Sequence, residues 1–187
     1  MTTLIPPLTR VEWGFGLRWV FATSVGWVLG FAICEAFKAF LDSITADGAV
    51  IGISVGIGQW LALKGRINRA GWWILASIIG FAVGKVVGDV FAEAVSGAVG
   101  FGLSGAAIGA SVGIAQWFVL RRHVVRAERW VLASVVAWAV GGGIIKVADQ
   151  ALGAPAGTAY VIGAAGAAVA GAMTAASLVW LLRLRRA

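Results

Sequence analysis

The chain has one cysteine, one histidine, one tyrosine, three prolines and only eight acidic residues among its 187 positions. With Cys34 alone, no intrachain disulfide can form, and a buried structural thiol is expected. A single histidine, His123, and a single cysteine on opposite sides of the chain's plan do not make a metal site. Pro6, Pro7 and Pro155 all lie outside the long apolar runs, so no run is interrupted by a residue that breaks helices. No polar stretch is long enough to be a linker, and the chain reads as one domain over 1–187.

What it has instead is apolar mass. Hydrophobic residues make up 60% of the sequence, against roughly 45–50% in soluble domains, and the mean hydropathy is +0.94. Glycine occurs 27 times and tryptophan 10 times. A chain with so little polar surface cannot cover a water-soluble globule, and it reads as an integral membrane protein.

The net charge of +7 would suggest nucleic acid in a soluble protein. Here all the basic residues but Lys38, Lys85 and Lys146 sit at the ends of alternate spans: Arg10 and Arg18; Lys64, Arg66 and Arg69; Arg121, Arg122, Arg126 and Arg129; Arg183, Arg185 and Arg186. Short basic loops stay cytoplasmic, so both termini are expected inside, with anionic lipid headgroups as the contacts and no nucleic acid. Six spans follow, at 17–39, 47–64, 72–95, 98–120, 130–150 and 157–182, each near the ~17–25 residues needed to cross the bilayer. Residues 1–12 are polar and proline-bearing, without a cleavable signal pattern. Trp13, Trp19, Trp60, Trp72, Trp73, Trp117, Trp130 and Trp180 fall near the inner boundary, where indole rings anchor at the headgroup level.

The sequence repeats itself. Residues 52–60, GISVGIGQW, return as 109–117, GASVGIAQW, 57 positions on. The likeness continues through Lys64/Arg121, Arg69/Arg126, Trp73/Trp130 and Ser77/Ser134. Aligned on Trp19, Trp73 and Trp130, the odd spans share a hydroxyl at +4 (Thr23, Ser77, Ser134) and an aromatic at +8 (Trp27, Phe81, Trp138). They also share glycine at +11 (Gly30, Gly84, Gly141). Three hairpins, 17–64, 72–120 and 130–182, are therefore expected to share one orientation about a pseudo-threefold axis along the membrane normal. The stripes Gly48, Gly52, Gly56 and Gly105, Gly109, Gly113 allow close helix approach. The last span follows as Ala167, Gly171, Ala175, which aligns Leu178 with Gln59 and Gln116. Those two glutamines are expected to form interhelical hydrogen bonds, because a buried amide needs partners.

The two segments QWxxL(K/R)…RAxxW(I/V)LAS resemble uncharacterised Gly/Trp-rich bacterial integral membrane proteins. That resemblance implies the repeat architecture and a bacterial inner-membrane setting, and carries no activity. The plan of three two-helix repeats is also that of the mitochondrial carriers, whose proline–acid–base signature is missing here.

Catalytic motifs match only by letter. Gly52–Gly56 and Gly109–Gly113 read G-x-S-x-G but lack the preceding strand of a nucleophile elbow. Gly102-Leu103-Ser104-Gly105 is similar to the serine motif of the rhomboid proteases, which need a histidine on the sixth span; 157–182 holds none. No enzymatic activity and no cofactor are expected.

Charge inside the odd spans is unusual. Glu35/Lys38, Lys85/Asp89 and Lys146/Asp149 are spaced as ion pairs, and Glu35, Asp89 and Lys146 share position +16. Their matching height predicts a collar around the axis in the outer half of the membrane. Two functions are compatible with all this. One is a compact structural or accessory scaffold binding another membrane protein or a second copy; the other is a small transporter or channel with a path through the collar.

Overall fold

The computed structural model describes residues 10–38, 40, 44–153 and 158–183. The expectations placed on 1–9 and on Arg185 and Arg186 lie outside the described residues. The fold is all-helical: α1 (Arg10–Phe37), α2 (Ile44–Leu63), α3 (Trp72–Ala94), α4 (Gly97–Leu120), α5 (Arg129–Leu152) and α6 (Thr158–Arg183). All six helices are long and apolar enough to cross a membrane, which makes this a multi-pass membrane protein. Helices are what such a sequence must form, because hydrocarbon offers no partner to a free backbone N–H or C=O.

α1 begins seven residues before the apolar run. Hydropathy locates the greasy segment, whereas hydrogen bonding carries the helix on into the polar zone. The turns have identifiable stops. After α3, Val95 and Ser96 are extended and Gly97 is left-handed at φ +73°, so the chain reverses within two residues. α5 ends on Gly153, also left-handed, the usual glycine stop. Arg69 and Arg126, 57 positions apart, both adopt positive φ (55° and 60°). A side chain there costs roughly 1–2 kcal/mol, so the basic turn is copied down to an unfavourable backbone setting.

Each helix packs on its two neighbours in sequence, and α6 returns to α1, closing a ring. α1, α3 and α5 make no backbone-level approach to one another. Glycines set the contacts around the ring. A Cβ on Gly52 would lie 2.7 Å from the Ser77 carbonyl oxygen, and one on Gly56 2.9 Å from Ser77 Cβ. Gly48 faces Phe81 in the same way, while Gly105, Gly109 and Gly113 sit against Trp138, Ser134 and Val131 of α5. On α6, Gly163 lies against Trp27 and Gly171 against Val20 and Thr23 of α1. At one end, hereafter the basic end, the turns fold apolar residues inward: Ile67 and Ala70, and in the next turn Val124 and Ala127, are buried with Leu63 and Leu120. Glu12 and Arg183 join α1 to α6 at this end through two hydrogen bonds of 2.7 and 2.8 Å.

Candidate functional site

A ring of six helices leaves a hole on its axis, and the odd helices fill it with their largest side chains. Trp19, Trp73 and Trp130 form a triangle with ring centroids 5.7 to 6.0 Å apart, within the favourable range for aromatic pairs. Eight residues further along each helix, about 12 Å, Trp27, Phe81 and Trp138 form a second triangle with centroids 5.3 to 6.4 Å apart. This corrects the expected lipid-facing role of the first three indoles. Trp19, Trp73 and Trp130 are 0%, 0% and 1% exposed, while Trp13 and Trp72 stand on the surface. The pattern of tryptophans specifies height along a span, not direction around it.

Burying three indoles creates three N–H groups that need acceptors, and the even helices supply them. Trp73 Nε1 donates to Gln59 Oε1 at 2.9 Å, and Trp130 Nε1 to Gln116 Oε1 at 3.0 Å. Each amide then donates onward: Gln59 Nε2 to Thr23 Oγ1 at 3.1 Å, Gln116 Nε2 to Ser77 Oγ at 3.0 Å. A longer contact of 3.4 Å joins Gln116 Nε2 to Gln59 Oε1. Thr23 and Ser77 pass their own protons to the carbonyls of Trp19 and Trp73.

The third indole is bonded differently. Trp19 Nε1 donates to Thr174 Oγ1 at 3.1 Å, and Thr174 sends its proton to the Ala170 carbonyl at 2.8 Å. So the residue in the glutamine's place is Thr174, and the alignment of Leu178 with Gln59 was one helical turn out. Gly171 meets α1 as Gly56 meets α3 and Gly113 meets α5. Counting three residues on from each gives Gln59, Gln116 and Thr174. A stripe of small residues every fourth position looks the same after a one-turn slip, which is why the sequence misplaced it. Leu178 is buried in the apolar cluster around the tryptophans. Threonine is too short to extend the chain of bonds, and Ser134 Oγ is left buried without a partner among the described residues.

Past the second triangle lies a cavity of about 350 Å³, with Trp27 and Trp138 among its walls. Lys85 Nζ lies 2.7 and 2.6 Å from the two Asp89 oxygens, and Lys146 Nζ 3.1 Å from Asp149 Oδ2. All four of these residues line the cavity, and Lys146 also sits over Phe101 at 5.1 Å. Ser104 and Tyr160 add hydroxyls. Glu35 and Lys38 do not join this group: their contact is 3.5 Å long, with side chains 48% and 75% exposed. Lys38 falls one residue past the end of α1, in the turn, whereas the other two pairs are held within α3 and α5. The expected collar of three pairs is thus two pairs around a cavity and a third at the surface. Thr174 and Tyr160 were missed by sequence reasoning; the first was findable from the Gly-x-x-(Gln/Thr) spacing after Gly171.

Among the described residues, no group of three or more His, Cys, Asp or Glu side chains is placed to hold a metal ion. Cys34 Sγ lies 3.7 Å from the Asp47 carbonyl, and His123 Nδ1 lies 3.0 Å from the Val119 carbonyl at the basic end. Compared with known proteins, the chain matches no family model, no curated protein and no solved structure.

Proposed function

We propose that this protein is a structural or accessory scaffold of a bacterial cytoplasmic membrane, acting as a partner-binding subunit of a membrane complex. In this reading three hairpins share one orientation about a pseudo-threefold axis along the membrane normal, with both termini in the cytoplasm. The observation that carries it is the filled axis. Two stacked aromatic triangles, one tied into a belt of buried hydrogen bonds, occupy the space a conduit would need. Rigid bodies of this kind present fixed outer surfaces, and here those surfaces are broadly apolar, including Leu17, Phe21, Leu29, Leu132 and Val136. They suit lipid and the helices of a partner or a second copy.

A second reading has one specific support. The cavity beyond Trp27 and Trp138, with two ion pairs in apolar walls, is of the size and character of a small-ligand site. Transport along the axis would require both triangles to part. Native mass spectrometry from nanodiscs, together with solute flux in proteoliposomes, separates the two. A stoichiometric protein partner or self-assembly without flux supports the scaffold. Ion or solute flux that Trp73→Ala increases would overturn it in favour of the transporter.

A further inference from the structure

A groove of about 840 Å³ lies off the axis, on the outside of the ring, between α3 and α4. Its walls are apolar along most of their length, with Leu75, Ile79 and Val83 on α3 and Ile114 and Phe118 on α4. From Trp72 to Val83 the groove follows α3 for about 17 Å at ~1.5 Å per residue, about half of a ~30 Å hydrocarbon core. Its basic end is lined by Asn68, Arg69, Arg122 and His123.

These two arginines differ from their neighbours. Lys64 lies over Trp60, Arg66 over Phe15, Arg121 over Trp117 and Phe118, and Arg129 over Trp180. The side chains of Arg69 and Arg122 have no such partner among the described residues. Arg69 lines the groove from the turn where its backbone is left-handed, at φ 55°. A guanidinium pair above an apolar trough half a bilayer long is complementary to a phosphodiester carrying acyl chains.

The geometry points to a specific site for one anionic glycerophospholipid, its phosphate at Arg69 and Arg122 and an acyl chain along Ile79 and Ile114. This rests on the helices spanning a bilayer and not on the scaffold reading. Symmetric nanodiscs present the lipid to both ends, so an error in orientation would not hide the site.

The test is native mass spectrometry of the full chain released from nanodiscs of equal parts phosphatidylglycerol and phosphatidylcholine. Wild type is expected to retain one phosphatidylglycerol in preference to phosphatidylcholine, and added inorganic phosphate leaves it in place. Arg69→Gln with Arg122→Gln is expected to lower retention by about tenfold or more, the loss of charge-assisted hydrogen bonds. Arg126→Gln, at the matching turn position but not lining the groove, is expected to retain it. Ile79→Trp fills the trough without touching the charges and is expected to lower retention too. Since both arginines are at the surface, that double variant remains informative if the tryptophan variant does not fold. Equal retention of the two lipids, unchanged retention in the arginine variant, or a protein seated in the groove instead of lipid would each overturn the site.

Discussion

Trp19 donates its indole N–H to Thr174 Oγ1 across 3.1 Å, joining α1 to α6 where glutamines join the other helix pairs. The shorter acceptor completes one bond and leaves another unmade, since Ser134 Oγ, the counterpart of Ser77 Oγ, is buried without a partner among the described residues.

Lengthening that link should stabilise the protein. Thr174→Gln is expected to accept from Trp19 and donate to Ser134, raising the thermal midpoint in detergent. The gain is that of an interhelical hydrogen bond in a membrane protein, about 0.6 and up to ~1.7 kcal/mol. Ser134→Ala is expected to be neutral or stabilising, because it removes a buried group that has nothing to bond. Ser77→Ala should lower the midpoint, since it takes away the acceptor of Gln116 Nε2. Equal effects of the two serine substitutions would show that the belt is not carried by these bonds.

Glycine substitutions should follow what each new Cβ would meet. At Gly52 and Gly109 the methyl of alanine falls on the Ser77 and Ser134 carbonyls, so the helix pairs must separate. A loss of ~1–3 kcal/mol is expected at each, the usual penalty of overpacking. Gly71→Ala has open space and a helical backbone and should change little. Gly65 also has open space but sits at φ +81°, so alanine there should be destabilising for backbone reasons alone. Midpoints of the four variants give the comparison.

The ion pairs should rank by enclosure. In a double-mutant cycle, Lys85→Leu is expected to destabilise more than Lys85→Leu with Asp89→Leu, because the single change strands a carboxylate in a largely apolar cavity. The same cycle on Glu35 and Lys38 should give a coupling near the ~0–1 kcal/mol of exposed pairs. A larger coupling at Glu35/Lys38 than at Lys85/Asp89 would reverse the assignment of which pairs are enclosed.

Orientation can be read by labelling. In a Cys34→Ala background, single cysteines at Asn68 and Val125 are expected to react with a membrane-impermeant maleimide only after the cell is opened. A cysteine at Ser96 should react from outside. Labelling of Asn68 in intact cells would invert the arrangement.

Much of the aromatic axis was legible in the chain. The alignment on Trp19, Trp73 and Trp130 already placed Trp27, Phe81 and Trp138 at one height and Thr23, Ser77 and Ser134 at another. What it could not supply was the third partner on α6. Glycine and alanine at four-residue intervals repeat with nearly the helical period, so Gly171 could be matched to Gly109 as well as to Gly113. Only the contact with Val20 and Thr23 distinguishes the two.

The sequence by itself determined six apolar helices, the basic turns between them and the height of each special residue along its span, because hydropathy and a repeat of 57 are one-dimensional properties. Which way those residues face was decided by the tertiary structure alone. Closing six helices into a ring requires something wide at the centre, and that requirement turns Trp19, Trp73 and Trp130 away from lipid and onto the axis. The end of α1 at Phe37 likewise puts Lys38 in solvent while Lys85 and Lys146, which lie within α3 and α5 rather than past their ends, line a cavity. Rotation about a helix axis costs a uniform apolar helix almost nothing, so it is settled by packing and not by composition.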